Sequence, residues 1–287
     1  MRGFSDYRAV FIAARAEDGR HLFITRRFKY NGEQLTLTVD PVTLETKIRP
    51  DAWLGKDDLG WNEQAATPYL SALRALTNPP TPTENAGLIH ARGAVDGVFL
   101  TVDMCPSHKP FESRFFASLA RARREGHAMP VAISISGYWA LEHGAEFATL
   151  IGMQKRGELD IIWTNHSYTH RYIKGLADAQ NFMLMAHTDF EREVLLTEQL
   201  LISKGLTPSV FFRFPGLVSD DYLLMEARRL SLLPLGADAW LAKGKHPKRG
   251  SIVLVHGNGN EPLGIHEVKP YVADPKLRWL NLREAVA

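Results

Sequence analysis

The sequence predicts an α/β protein: a parallel sheet or barrel buried on both faces, preceded by a β-rich N-terminal extension. Three observations predict it. From about residue 95, short apolar runs at 98–102, 131–136, 161–163, 210–214, 232–235 and 252–255 alternate with segments of helical spacing, the rhythm of strands joined by crossover helices. Those runs are predominantly apolar, as strands covered on both faces are. Upstream, residues 34–40 and 42–48 alternate apolar with polar around Asp40-Pro41, the pattern of a half-buried antiparallel hairpin.

Residues 7–14 and 21–26 read as further strands of the extension. Thr67-Pro68 opens a short helix carrying Tyr69, Leu70, Leu73 and Leu76, and the stretch 78–85, with Pro79, Pro80 and Pro82, interrupts all periodicity. This break divides an extension over 1–90 from a barrel over 91–287. Helices are expected at 111–125, 146–156, 189–204, where Gly205 ends the pattern, and 220–230. The chain shows no internal repeat and no low-complexity tract.

Composition narrows the function classes. With 45% hydrophobic and 23% charged residues the chain has ample material for a core, which excludes intrinsic disorder. Thirty-four Lys and Arg against 32 Asp and Glu leave a formal charge of +2, so neither nucleic acid nor an anionic membrane is the expected partner. One cysteine, Cys105, excludes an internal disulfide and a multi-cysteine zinc knuckle, so a metal site would draw on His and carboxylates. Cys105 itself reads as a small core residue rather than a thiol nucleophile, and Trp139 and Trp163 as core aromatics. No apolar run approaches the ~18 residues of a membrane span, and the run 9–14 is shorter than the roughly 7–15 of a signal peptide's apolar region. The expected compartment is cytoplasmic as the chain is written, and periplasmic or secreted if a leader has been removed.

In parallel α/β folds, chemistry gathers at the carboxyl ends of the strands. Five such ends carry polar groups: Asp103; His166 and His170; Arg213 with Pro215; Asp238 with Trp240; and His256. His166 and His170, four residues apart, fall on one face of a helical turn and can share a divalent cation, or serve as two hydrogen-bonding histidines. Asp103 reads as a ligand, a base or a turn cap, and His256 as a core residue or a catalyst.

Taken in order, Thr101-Val102-Asp103-Met104-Cys105-Pro106, His166-Ser167-Tyr168-Thr169-His170, Arg213-Phe214-Pro215-Gly216, Asp238-Ala239-Trp240 and Leu254-Val255-His256 resemble the five motifs of the polysaccharide deacetylase family, also called the NodB homology domain or carbohydrate esterase family 4. The resemblance spans roughly residues 95–260. It implies a distorted (β/α) barrel and a metal-dependent hydrolase that removes N- or O-acetyl groups from an acetylated carbohydrate, with zinc the expected ion. Carried over, His166 and His170 would be metal ligands, Asp103 the base, Arg213 its orienter and His256 the acid. Asp238 would hold the His256 imidazole, and Trp240 and Leu254 would line the acetyl pocket, with Tyr168 and Pro215 as further substrate contacts. Asn258, Asn260 and Glu261 would belong to a polar loop over the cleft.

The first motif departs from the family pattern. Asp103-Met104 stands where the family has two adjacent aspartates, which puts a thioether, a soft neutral donor, at the third ligand position. Either Asp103 completes a His-His-Asp metal set and another group serves as base, or the ion is lost and the domain binds carbohydrate without hydrolysing it. A third expectation is an amide hydrolase acting on a small non-sugar substrate.

Overall fold

The computed structural model describes residues 2–57 and 60–286. The extension forms five strands, β1 (Phe4–Arg15), β2 (His21–Tyr30), β3 (Glu33–Val39), β4 (Thr46–Pro50) and β5 (Gly55–Lys56), in an antiparallel sheet of order β4-β3-β2-β1-β5. Two short helices, α1 (Trp61–Ala66) and α2 (Pro68–Leu76), follow. The Thr67 hydroxyl caps α2 and Pro68 occupies its first turn, the position where a missing N–H costs nothing.

Seven parallel strands make the second sheet: β6 (Phe99–Met104), β7 (Pro130–Ile135), β8 (Asp160–Asn165), β9 (Phe211–Phe212), β10 (Leu233–Pro234), β11 (Ala239–Trp240) and β12 (Ile252–His256). Between them lie α3 (Ser113–Arg124), α4 (Gly137–Glu142), α5 (Gly144–Lys155), α6 (Phe190–Ser203) and α7 (Asp221–Arg229), and α8 (Pro262–Ala273) follows the last strand. The order is β10-β9-β8-β7-β6-β12-β11. The sheet therefore curls in chain sequence and its first and last strands pair, so it is a (β/α) barrel opened between β10 and β11. Part of that opening is filled by residues 85–91, from the N-terminal side of the expected boundary. Leu88 N–H donates to Pro234 O (2.8 Å), Gly236 N–H to Leu88 O (3.0 Å) and Asp238 N–H to Ile89 O (3.1 Å). Gly87 makes this passage: its φ is +94°, and a Cβ there would collide with the Pro234 backbone.

Strand parity sorts the side chains into two layers, because successive residues face opposite sides. Val98, Leu100, Val102 and Met104 face outward into a core shared with Val131, Ile133, Trp163, Val255 and helices α3 and α5. The opposite parity places Phe99, Ala132, Ile162, Phe211, Ile252 and Leu254 in the interior, where the barrel floor is closed by Phe23, Val39, Leu44, Tyr69, Leu70 and Leu73 of the extension. The extension and the barrel thus share a core. They are also joined by a buried ion pair: Arg26 on β2 grips Glu198 on α6 in a fork, Nε to Oε2 at 2.7 Å and Nη2 to Oε1 at 2.8 Å. The Tyr7 hydroxyl donates to the same carboxylate (2.9 Å), and Arg26 Nη1 donates to Leu230 O (2.9 Å).

Candidate active site

Interior parity at the carboxyl edge delivers Asp103 from β6 and Cys105 just after it, His166 just after β8, Arg213 just after β9 and His256 from β12, with Asp103 and His256 adjacent in the ladder. Asp103, Cys105, His166 and His256 meet in a cavity of about 790 Å³ lined also by His170, Trp240, Leu254 and Glu261, and Arg213 lies buried behind Asp103. Tyr138, Tyr172 and Phe182 form part of its aromatic wall.

Asp103 is 3% exposed. Arg213, wholly buried, donates from Nη1 to Asp103 Oδ1 (3.2 Å) and from Nη2 to Gly236 O (3.0 Å), which fixes the guanidinium plane. Burial pushes the Asp103 carboxyl up, but Arg213 and then His166 outweigh it, and the group lies below the ordinary carboxylate range. It is a carboxylate at neutral pH, held in one orientation.

The histidine pair is brought together by a turn, not by the helical turn the spacing predicts. Ser167 and His170 both have left-handed backbones (φ 64° and 46°). The turn is pinned from outside by Glu193 in the first turn of α6, whose Oε2 accepts from the N–H groups of Tyr168 and Thr169 (both 2.8 Å) and whose Oε1 accepts from the Thr169 hydroxyl (2.8 Å). Inside, Asn165 Oδ1 accepts from Ser167 N–H and Ser167 Oγ from His170 N–H. His166 Nδ1 donates to Arg213 O (2.7 Å), which leaves its Nε2 as the lone-pair nitrogen, 3.2 Å from His170 Nε2. Burial holds His166 below its usual pKa, hence neutral, as a metal ligand must be.

The Cys105 sulfur also lies beside this pair. It is 3.5 Å from His166 Nε2, and Cys105, His166 and His170 are the one group of three potential ligands, among the described residues, whose donor atoms all lie within 4.8 Å of one another. Asp103 is outside that group; its Oδ2 is 3.7 Å from His166 Nε2 and its Oδ1 belongs to Arg213. Asp103 therefore sits beside the histidine pair but outside its tightest donor group, and Cys105, expected as a small core residue, is buried yet faces the cavity. Met104 does not reach the histidines: with the opposite parity to Asp103 it is fully buried in the outer core, its sulfur packed near Gly257 and Phe116. The methionine therefore takes no donor from the site. Two imidazoles and a thiol form a donor set suited to a borderline-soft divalent ion such as zinc, so the residues present fit a metal.

Beside Asp103 in the ladder stands His256. Its Nδ1 lies 2.8 Å from Glu261 Oε2, close but out of line with the ring N–H, so the contact is an ion pair rather than an aimed hydrogen bond. Trp240 Nε1 donates to the same oxygen (2.8 Å). Burial pushes His256 down, while Cys105 and Glu261 pull it well above its usual pKa. Burial pushes the Cys105 thiol up in turn, but His170 and His256 outweigh it, and the thiol settles at about 7.

Three further expectations are corrected by position. Asp238 does not hold His256: its carboxylate accepts from His90 Nδ1 (2.7 Å), the Ser251 hydroxyl and Ile252 N–H, on the barrel wall. Glu261, five residues past His256 at the start of α8, takes that place. Tyr168 packs edge-on against Tyr138 and against Gly137 outside the cavity, and Pro215 is buried, so Tyr138, Gly216 and Leu217 line the space instead. Asn258 is buried with its amide on Cys105 O (2.7 Å), bracing that strand end, whereas Asn260 and Glu261 do face the cavity. Trp240 and Leu254 line it as expected.

No sequence profile of a known protein family matches this chain. Solved structures do. A family 4 carbohydrate esterase from Bacillus anthracis superposes with a TM-score of 0.52 at 16% identity, over 80% of this chain and 95% of its own. The chitin deacetylase of Colletotrichum lindemuthianum (TM-score 0.49, 16% identity, 70% and 92% covered) and a family 4 carbohydrate esterase from Bacillus subtilis (0.49, 13%, 75% and 88%) are also similar. The protein is an α/β barrel with a polar site at the strand ends. In particular, its fold is that of the family 4 carbohydrate esterases, with an antiparallel sheet at the N-terminus.

Proposed function

We propose that the protein is a metal-dependent hydrolase that removes acetyl groups from a carbohydrate. The observation that carries this reading is the juxtaposition, in one cavity, of a clamped, ionised Asp103, a neutral His166 whose Nε2 lies 3.2 Å from that of His170, and a His256 held protonated beside Asp103. Hydrolysis of an amide or ester needs a polarised carbonyl, an activated water and a proton for the leaving group. A divalent ion held by His166 and His170 would supply the polarisation. Asp103 takes a proton from water as the new C–O bond forms at the acyl carbon, and Arg213 keeps that carboxylate ionised and aimed. His256 gives its proton to the departing amine or alcohol as the C–N or C–O bond breaks, and Glu261 keeps the imidazolium charged and in place. Leu254 and Trp240 offer an apolar wall of the size of an acetyl methyl, while the exposed Tyr138 and Tyr172 give faces on which sugar rings stack.

The test is acetate release from N- and O-acetylated oligosaccharides by zinc-loaded protein. Asp103→Asn, which keeps shape and removes the base, is expected to lower kcat/KM by roughly 10²–10⁴-fold. Undiminished turnover in that variant would overturn the assignment. Sugar binding without any acetate release would favour a non-catalytic carbohydrate-binding protein instead.

One observation favours a second reading. With its thiol at about 7, Cys105 lies next to His256, which Glu261 backs, and this is the row of groups that a thiol nucleophile uses. On that reading the sulfur attacks the acyl carbon, the amine leaves with the His256 proton, and water cleaves the thioester. Acetate release that survives a chelator and vanishes in Cys105→Ser would select it.

A further inference from the structure

The donor atom grouped most tightly with the histidine pair is the Cys105 sulfur rather than the Asp103 carboxylate, and the interatomic distances match those of a metal site. A tetrahedral zinc ion has Zn–N near 2.0–2.1 Å and Zn–S near 2.3 Å, which puts two nitrogen ligands about 3.3 Å apart and a sulfur and a nitrogen about 3.6 Å apart. The structure has His166 Nε2 and His170 Nε2 at 3.2 Å and Cys105 Sγ and His166 Nε2 at 3.5 Å. We infer that Cys105 is a metal ligand, so that the protein carries a Cys-His-His site for a borderline-soft divalent cation, bound by sulfur as thiolate. The inference rests on the metal-dependent reading above and deepens it.

The surroundings agree. Parity on β6 aims residues 103 and 105 into the barrel and 104 away from it, so the strand presents a carboxylate and a thiol to the cavity, two residues apart. The thiol is 8% exposed, and its backbone carbonyl is held by the Asn258 amide, while the His166 ring is oriented by its Nδ1–H bond to Arg213 O. Three protein donors leave a tetrahedral ion one open position, the arrangement of catalytic rather than structural zinc. Asp103, engaged by Arg213 and outside the donor triangle, is thereby free to act as base. A sulfur donor also biases the site toward zinc and cobalt over magnesium and calcium.

The experiment is cobalt(II) titration of the metal-stripped full-length protein under anaerobic conditions, followed by its electronic spectrum. Tetrahedral cobalt on the histidines gives ligand-field bands in the visible. A thiolate ligand adds a sulfur-to-cobalt charge-transfer band in the near ultraviolet, and with one cysteine in the chain that band has a single source. Both sets of bands are expected in the wild type. In Cys105→Ser the charge-transfer band is expected to vanish, with affinity falling by more than the roughly 10–100-fold that loss of an outer-shell partner costs. Zinc is expected to block iodoacetamide alkylation of Cys105 in wild-type protein, and a chelator to restore it, a readout that needs no variant to fold. Ligand-field bands without charge transfer would overturn the inference and leave the metal-dependent reading standing. No bands at all would overturn both.

Discussion

Replacing Glu193 by alanine tests whether the histidine turn is held by α6. The carboxylate accepts from two backbone N–H groups and one hydroxyl, each at 2.8 Å, across a turn in which Ser167 and His170 sit at left-handed φ. Each such non-glycine residue stores about 1–3 kcal/mol that the surroundings must offset. Stranding two N–H groups costs about 1–3 kcal/mol each when they are buried. Tyr168 and Thr169 are half-exposed, so water recovers part of that, and a loss near 2 kcal/mol is expected. At about 2–4 °C per kcal/mol for a chain of this size, Tm falls by roughly 4–8 °C. The released turn lets the His170 ring leave His166, so zinc affinity measured by chelator competition falls roughly 10–100-fold, as for other outer-shell losses. Glu193→Gln, which keeps an acceptor oxygen, is expected to lose less on both measures. Wild-type Tm and wild-type zinc affinity in Glu193→Ala would show that the turn holds itself and refute the reasoning.

Two further outcomes follow from the geometry. Arg26→Met leaves Glu198 buried without its partner, so a loss of about 3–5 kcal/mol is expected in urea denaturation, whereas Arg26→Met with Glu198→Leu should cost less than the single change; a double loss equal to the sum of the losses of the two single variants would mean the pair contributes no coupling. Glu261→Gln removes a group that raises the His256 pKa. Since His256 must be protonated to act as acid, the alkaline limb of kcat/KM is expected to move to lower pH, and a limb that stays in place would assign the acid elsewhere.

The legible parts of the fold are those where one element fills its own pattern. Strands β6, β7, β8 and β12 are mostly apolar and buried almost throughout because helices cover one face and the barrel interior the other, and each lies within a few residues of its expected span. Helix α8 is hidden by Pro262 and Pro270 and by the polar residues 258–261 before it. Strand β11 is two residues long, too short for any period. The 166–170 segment has helical spacing but not helical backbone, because Glu193 and Asn165 bond its N–H groups in a different conformation. In the site, Asp103, Arg213 and His256 are marked by polarity at the ends of apolar runs. Cys105 shares the parity of Asp103, so its place was readable at a spacing of two; its residue type, most often buried for packing, masked that signal.

By itself, the chain determined which residues face the barrel interior and which edge they reach, since a two-residue alternation is local and needs no partner. Which carboxylate meets which imidazole was decided only in three dimensions. Asp238 lies on the barrel wall where residues 85–91 bring His90 to it, and Glu261 reaches His256 because α8 starts over the cavity. Contacts of that kind depend on where loops re-enter the barrel, a long-range packing outcome that neither residue's neighbours in sequence encode.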